Sequence, residues 1–406
     1  MANSFQGLTS GLAVLKNFYE GPIVDQFNED VPVYRAAEKD KKSWSGQQVI
    51  RPLKVRRNQG IGATSDGGIL PAIGRQTTVQ AIIAAKLNYL RFGVTGPMIK
   101  ASQSDVGSFV RIASYELKEG YNDLMTDCNR QYAWNGTNTL CITSVASVGS
   151  QSITIAGRES VEAALKFIDV GLVVDVYDAT GVTLKASALS ISSVTGSPTA
   201  LTATVVVDQP LTSAAGDIWI RSGSSGSEIQ GLLTGLDGGT SSIFSVDRGL
   251  YPQFQGNAIN LSGGQLTIDK MQQAYNEGMR RGGAKYDAVF CDFDTLRMYQ
   301  KLLQPDKRYS NTMQGDGGFA KKDQFYLDFN GIAVVPDKDC PQRMFFLDAN
   351  ALRNYVLADL EFADETGSMY IAQTSADQLE VRIRFFANLF NEAPSRCAAL
   401  SNYVSP

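Results

Sequence analysis

Val49-Ile50-Arg51-Pro52-Leu53-Lys54-Val55-Arg56-Arg57 alternates apolar with basic residues. A glycine-rich stretch follows, Gln59-Gly60-Ile61-Gly62-Ala63-Thr64-Ser65-Asp66-Gly67-Gly68, and then a longer apolar run from Gln76 to Phe92. This order predicts a long two-stranded ribbon with a glycine-rich tip. At roughly 3.3 Å per residue the arms extend about 30 to 60 Å, and an isolated ribbon is marginal in water. We therefore expect neighbouring copies of the chain to support it, as in a shell or filament subunit.

The composition is that of an ordinary soluble globular protein, with 406 residues, 43% of them hydrophobic and 19% charged. The formal net charge of -4 argues against a dedicated nucleic-acid binder, because neutralising phosphates needs a clustered cationic excess. Contact with DNA is expected to be sequence-blind. The start of the sequence carries no basic leader, and no run approaches the ~20 apolar residues that cross a bilayer, so we expect no membrane association.

The residue types limit the available chemistry. The chain has no histidine, which excludes Ser-His-Asp and Cys-His catalysis and histidine-ligated metals. Its five cysteines are far apart and predict buried thiols in a reducing cytoplasm: Cys128, Cys141, Cys291, Cys340 and Cys397. Neither a phosphate-binding loop nor a dinucleotide fingerprint is present. We expect no enzyme, no cofactor and no metal.

Two weaker signals allow alternatives. The stretch 235–240 is either a glycine-rich turn, which we prefer, or an anion-binding nest. Three acidic residues lie at the ends of one predicted strand: Asp287, Asp292 and Asp294. They could bind a divalent cation. The interpretation that we prefer is that Asp294 caps the helix starting near Thr295. An enzyme using Asp292 and Asp294 as a carboxylate pair is the corresponding functional alternative.

Periodicity predicts an α+β chain. Val106 to Tyr132 has helical spacing for about seven turns, with Ser104 and Asp105 as caps and Gly136 as its end. From 137 to about 223 short alternating runs predict a small all-β barrel or sandwich inserted in a host domain, with one short helix over 159–167 and a Gly/Ser exit linker over 222–227. The remainder predicts helices over 266–281 and 295–303, the second stopped by Pro305, and strands over 288–291, 331–336, 344–347 and 378–390.

The order of these parts resembles the major capsid proteins of tailed bacteriophages with the HK97-type fold. The segment Val246-Asp247-Arg248-Gly249-Leu250-Tyr251-Pro252 is similar to an Asp-Arg-x-x-x-Pro segment of such proteins. The run from Phe329 to Asp348 is similar to the strand pair of their central domain. The resemblance covers nearly everything except 138–223.

The resemblance implies a division of the chain into six parts. These are an N-terminal arm (1–42), an extended loop (43–96), a peripheral domain with the spine helix (97–137), the inserted β-domain (138–223), an axial domain (224–370) and a C-terminal strand segment returning to the peripheral and axial domains (371–406).

The function that it implies is a non-catalytic capsid protein, assembling as pentamers and hexamers into an icosahedral shell around packaged double-stranded DNA. The location would be the virion, after assembly in the host cytoplasm. Expected partners are the chain itself, a portal protein, a separate scaffolding protein and a decoration protein. An encapsulin-like compartment shell holding a cargo enzyme is the alternative.

Inter-subunit contacts are expected from the basic strand, which suits ion pairs with a neighbour better than nucleic acid, and from the loop tip. The residues are Arg51, Lys54, Arg56, Arg57, Ile61, Ile69, Leu70 and Arg75. Some family members join subunits by Lys-Asn bonds. Here 58–74 contains no Lys, and the positions that match the acceptor and its Glu hold Gln378 and Phe385, so no covalent cross-linking is expected.

Overall fold

A computed structural model describes residues 31–36, 39–41, 44, 46–95, 106–159, 162–303, 327–363, 371–372 and 377–405. Within them the helices are α1 (Pro32–Ala36), α2 (Val106–Ala133), α3 (Ile268–Gly282) and α4 (Phe293–Leu303). The strands are β1 (Lys39–Asp40), β2 (Gln48–Arg56), β3 (Thr77–Ala84), β4 (Lys86–Thr95), β5 (Thr139–Thr143), β6 (Ser147–Ala156), β7 (Val173–Tyr177), β8 (Leu184–Thr195), β9 (Thr202–Ser213), β10 (Ile218–Arg221), β11 (Asn257–Gln265), β12 (Ala288–Cys291), β13 (Leu327–Phe329), β14 (Ile332–Pro336), β15 (Arg343–Leu347), β16 (Leu352–Phe362), β17 (Ile371–Ala372), β18 (Gln378–Asn391) and β19 (Ala398–Val404). The mixture confirms the α+β class. The expected caps Ser104 and Asp105, and Pro305, lie outside the described residues.

The ribbon is a separate two-stranded antiparallel sheet of β2 and β3, with Val49 opposite Ile83. The second apolar run was expected to be one strand, and that prediction is wrong. It breaks at Ala85, and β4 leaves the ribbon to pair with β18 in another sheet. The break explains one apolar face of the second half of this run, because β4 turns Leu90 toward the core that α2 covers.

The sheet that β4 joins has five strands, in the order β1-β16-β18-β17 with β4 also beside β18. Helix α2 packs across it and buries Leu124, Cys128 and Tyr132, which are one helical turn apart and confirm the predicted period. Helix α1 packs against both α2 and the sheet. Its Tyr34 ring contacts the rings of Tyr132 and Phe385 edge-on, with ring centroids 5.7 and 5.8 Å apart.

The inserted segment is a closed barrel of the strands β10-β5-β6-β9-β8-β7, so of the two predicted architectures the barrel is the one found. Alternate residues such as Ile153, Ile155 and Val205 fill its interior together with Trp219. The entry from α2 and the exit after β10 both lie at the end of the barrel where β5 begins.

The helix expected over 159–167 is absent from its described part, residue 159 and residues 162–167, which form turns. The chain folds back tightly there, because Glu162 accepts hydrogen bonds from the backbone N–H of Arg158 at 3.1 Å and from its guanidinium at 2.7 and 2.9 Å. The Arg158 guanidinium in turn lies 4.3 Å from the Trp134 ring centroid and 4.4 Å from that of Phe167. This stack joins the barrel to the end of α2.

The remaining sheet has six strands in the order β11-β19-β15-β12-β14-β13. Helices α3 and α4 pack on it, with Met271 and Met298 in a core that includes Val289 and Phe346. Helix α3 begins at an N-cap, Thr267, whose side chain accepts a hydrogen bond from the Lys270 N–H, and ends at Gly283 with φ 64°. Strands β11, β16 and β19 were not predicted individually, and β19 lies inside this sheet.

Candidate assembly surface

The root of the ribbon rests on its own chain. Val49, Ala81 and Ile83 are buried against a cluster that includes Phe244 and Phe390. The free edge of β3 is also used, since the Ile82 N–H donates to the Phe244 carbonyl at 3.0 Å. The expectation that neighbouring copies support the ribbon is wrong for its root, because the loop that contains Phe244 supplies apolar surface from the same chain.

A buried arginine holds that loop in place. Arg248 is 1% exposed, donates through Nε to the Ser241 carbonyl at 2.7 Å, and forms an ion pair with Asp237. The Asp237 carboxylate also accepts from the Gly239 N–H at 3.0 Å. The stretch 235–240 therefore forms a turn around the carboxylate of its own Asp237. Of the two alternatives, the structure agrees with the glycine-rich turn and not with the anion-binding nest.

The tip of the ribbon, residues 57–76, is exposed along nearly its whole length. Its four large aliphatic side chains are Ile61, Ile69, Leu70 and Ile73, exposed by 85, 96, 76 and 103%. Exposed aliphatic side chains concentrated in one loop are typical of interaction surfaces. We call these four residues the tip cluster. Ile73 was not among the expected contacts, although an isoleucine in an exposed glycine-rich loop was the available signal.

Two glycines form a neck below the tip cluster. A Cβ atom on Gly74 would lie 2.2 Å from the Gly60 nitrogen and 2.3 Å from Asn58 Oδ1. At the far end the Gly68 N–H donates to the Ser65 carbonyl at 2.9 Å, and Gly67 has φ 70°. The glycines thus allow the two sides of the loop, at Gly60 and Gly74, to approach each other closely, and this gives the tip a defined shape.

The ribbon is strongly cationic, while the chain as a whole is anionic. Residues 46–84 carry one carboxylate, Asp66, against five cations, a net +4 within a chain of net -4: Arg51, Lys54, Arg56, Arg57 and Arg75. Two of these cations have contacts in the chain. Arg51 pairs with Glu392 at 3.0 Å, and the Arg56 guanidinium lies 5.7 Å from the Tyr251 ring centroid. The other three, Lys54, Arg57 and Arg75, are exposed. All five predicted cationic contact residues therefore lie on the same ribbon.

A second exposed apolar surface lies on the face of the five-stranded sheet that is turned away from α2. Leu87 and Tyr89 are 51 and 54% exposed there. Leu87 is opposite Phe386, whose ring is 5.2 Å from the Tyr89 ring. We call Leu87, Tyr89 and Phe386 the sheet patch. Sequence reasoning assigned Leu87 and Tyr89 to the ribbon and so missed this surface.

The acidic residues at the two ends of β12 accept hydrogen bonds from nearby backbone N–H groups. Asp292 caps α4, accepting from the backbone N–H groups of Asp294 at 3.1 Å and Thr295 at 3.2 Å. The cap expected from Asp294 is therefore wrong, because Asp294 is already inside the helix and pairs with Arg297 at 3.0 Å. Asp287 accepts from the Ala349 N–H at 2.8 Å. Burial raises the pKa of Asp292 to about 6.

The described residues contain no group of three or more His, Cys, Asp or Glu side chains that could hold a metal ion. All five cysteines are free and buried, as predicted. No helix in this part of the chain has the length and apolar character that a bilayer crossing needs.

Comparison with known proteins gives structural likenesses only. No protein-family model and no curated protein matches the sequence. The chain is similar to a chain of the cyanophage A-1(L) capsid, with 13% identity, a TM-score of 0.60, and coverage of 96% of this chain and 98% of that one. It is also similar to a chain of the native GTA particle capsid (10% identity, TM-score 0.49, 98% of each chain) and of an encapsulin complex from Synechococcus elongatus PCC 7942 (8% identity, TM-score 0.46, 98% and 96%). The last two are too distant to carry an argument. The chain therefore has the HK97-type fold of phage capsid proteins, and it contains a closed barrel after α2.

Proposed function

We propose that this chain is a major capsid protein of a tailed bacteriophage, which assembles as pentamers and hexamers into an icosahedral shell around packaged double-stranded DNA. The observation that carries the proposal is the ribbon, whose root is fixed on its own chain while its tip holds four bare aliphatic side chains. Burying a large aliphatic side chain contributes about 1.5 to 3 kcal/mol of favourable free energy. Burial of the tip cluster on another molecule would therefore stabilise a complex, whereas an isolated chain leaves these side chains in water.

The partner surface that best suits the tip cluster is the sheet patch of an adjacent copy. Both surfaces are aliphatic or aromatic, and both are exposed in the same chain, so neither covers the other within one subunit. A contact between two different surfaces of identical subunits is heterologous, and it closes into a ring when the rotation allows. Exposed Lys54, Arg57 and Arg75 would lie beside the contact and find acidic partners on a body whose residues outside the ribbon are net negative.

The parts of the chain take the corresponding roles in this proposal. Residues 1–42 are the N-terminal arm, 43–96 the extended loop, 97–137 the peripheral domain with α2 as spine helix, 138–223 the inserted barrel, 224–370 the axial domain, and 371–406 the returning C-terminal segment. The protein is non-enzymatic and is located in the virion capsid after assembly in the host cytoplasm. Its partners are itself, a portal protein, a separate scaffolding protein, a decoration protein and non-specifically bound DNA.

We also propose that mature particles carry no covalent cross-links between subunits. The tip lacks a lysine from 58 to 74, and Phe385, at the position that matches the family's reactive Glu, is a fully buried core residue. Denatured particles should give a monomer band on an SDS gel. A ladder of higher bands would contradict this.

The tip cluster is tested with the double variant Ile69→Ser/Leu70→Ser. Because both side chains are exposed, the isolated chain should keep its circular dichroism and its stability, while particle yield by electron microscopy and size-exclusion chromatography collapses. The control is Val148→Ser/Val182→Ser on the barrel, where the two valines are 86 and 79% exposed and the change in apolar area is similar.

Full assembly of the tip variant would overturn the proposed contact. Equal losses from the tip and barrel variants would also contradict it, because the effect would then follow from exposed aliphatic area in general. The nucleic acid content of purified particles separates a DNA-filled capsid from a shell that holds a protein cargo.

A further inference from the structure

Two carboxylates are buried side by side where the chain leaves β14. Asp337 is 1% exposed and Asp339 is 3% exposed, and Asn129 of α2, which faces both, is fully buried. Among the described residues neither carboxylate has a lysine or arginine nitrogen within ion-pair distance. A buried carboxyl is harder to ionise when a second negative charge lies nearby.

One amide group serves both carboxylates. Asn129 Nδ2 lies 3.0 Å from each carboxylate oxygen of Asp337 and 2.7 Å from Asp339 Oδ2. An amide nitrogen has two hydrogens, so it cannot satisfy three oxygens at once. Asp337 receives a further hydrogen bond from the Asp339 N–H at 2.7 Å. Asp339 is therefore the less well satisfied of the two.

The same residues hold the N-terminal helix. The Tyr34 N–H donates to Asn129 Oδ1 at 2.9 Å, and the Val33 N–H donates to Asp337 Oδ2 at 3.2 Å. These are the N–H groups of the first turn of α1, which have no partner within the helix. The docking of α1 on α2 thus depends on the geometry of the carboxylate pair.

The ionisable groups around Asp339 come from each neighbouring element. Asp337, Lys338 and Cys340 are in its own loop, and Lys166 approaches from the segment that joins the barrel. Cys291 and Asp292 at the end of β12 interact electrostatically with Cys340, and the Asp337 N–H donates to the Cys291 carbonyl at 2.8 Å. Lys166 is itself paired with Glu162 at 2.9 Å, which leaves it a weak counter-charge for Asp339.

We propose that Asp337, Asp339 and Asn129 form a proton-dependent latch, which holds α1 on α2 while the carboxylate pair keeps one proton and loosens α1 when that proton is lost. With one proton bound, Asn129 and the two N–H groups of α1 face a single negative charge. Without it, Asp339 repels Asp337, and the loop that carries the acceptor of the Val33 N–H is pushed away from α1.

The direction of the pH dependence follows from the burial of Asp339. Burial, with a further contribution from the charge of Asp337 and against the hydrogen bond from Asn129, raises the pKa of Asp339 to about 6. A carboxyl whose pKa is higher in the closed latch than in free solution binds its proton more tightly there. The latch is therefore strongest in acid and weakens as pH rises from about 4 through about 6.

Hydrogen exchange of α1 in the unassembled full-length chain tests the latch. After correction for intrinsic exchange, protection of the Val33 and Tyr34 amides should fall about tenfold between pH 5 and pH 8. Asp339→Asn, which is neutral throughout, should keep the same protection at both values. Asp337→Asn should move the step to lower pH, because the like charge is gone. The control Asp328→Asn changes an exposed carboxylate and should behave as wild type.

A wild-type chain with no step between pH 5 and 8 would overturn the latch whatever the variants do. A step of unchanged size and midpoint in Asp339→Asn would overturn it as well. Because the measurement uses unassembled chain, its failure leaves the proposed shell function untouched.

Discussion

Arg51 Nε on the ribbon lies 3.0 Å from Glu392 Oε1, one residue beyond the end of β18. Glu392 also accepts a hydrogen bond from the Tyr355 hydroxyl at 3.2 Å, which ties the pair to β16. The ribbon is thus fastened at its root to the central strands of the five-stranded sheet. Its orientation is set by its own subunit, and its tip and the exposed Lys54 beside the tip are left for a neighbour.

The neck of the tip should tolerate no side chain at Gly74. In Gly74→Ala the new Cβ atom would be 2.2 Å from the Gly60 nitrogen. Because this nitrogen is a backbone atom and cannot rotate away, the two sides of the loop must move apart. We expect faster hydrogen exchange in the tip and poor assembly, with global stability within about 0.5 kcal/mol of wild type. Ala63→Ser in the same exposed loop is the control. Normal assembly of Gly74→Ala would show that the shape of the tip is unimportant.

Charge reversal should separate assembly from folding. Lys54 and Arg57 are exposed, so Lys54→Glu/Arg57→Glu should leave the unfolding free energy nearly unchanged while slowing assembly, most strongly at low salt. Light scattering during assembly over a range of NaCl concentrations measures this. Arg51→Glu is the comparison, since it also loses the pair with Glu392 and should cost up to about 1 kcal/mol of stability. Unchanged assembly kinetics in the double variant would remove the basic strand from the interface.

Removing the cap of α4 should affect stability and nothing else. Asp292→Ala deletes the acceptor for two helical N–H groups and should cost about 1 kcal/mol, whereas Asp294→Ala removes an exposed pair with Arg297 and should cost less than about 0.5 kcal/mol. Urea unfolding of both variants tests the order. A larger loss from Asp294→Ala would restore the original assignment of the cap.

The joint between the barrel and α2 should weaken in acid. Burial alone would raise the pKa of Glu162, but Arg158 and Lys166 outweigh it and lower that pKa to about 2. A carboxyl with a depressed pKa contributes stability above its ordinary value of about 4.5, and this is lost as pH falls toward 2. Glu162→Gln should therefore flatten the decline in stability between pH 5 and pH 2. Chemical denaturation at several pH values measures the slope, and an unchanged slope would exclude Glu162 as its source.

Local signals in the sequence were sufficient for some elements. The apolar run Ala288–Cys291 became β12 as predicted, and the spacing of Leu124, Cys128 and Tyr132 identified α2. In such segments the burial pattern is repeated along the chain itself, so each residue supports the same assignment.

Other features depend on contacts between distant residues. Nothing at Ala85 marks the change of sheet, since apolar residues continue on both sides and only pairing with β18 separates β3 from β4. Strand β19 contains alanine, serine and asparagine, and it is a strand because β11 and β15 flank it. The support for the root of the ribbon could not be predicted either, because Phe244 is 195 residues beyond Val49 and 163 beyond Ala81 in sequence.

Electron cryomicroscopy of the purified, assembled protein tests the central claim most directly. The account predicts a closed icosahedral shell in which the tip cluster of each ribbon is buried on an adjacent subunit. A compact monomer under every assembly condition, with Ile69 and Leu70 folded back on their own chain, would contradict it.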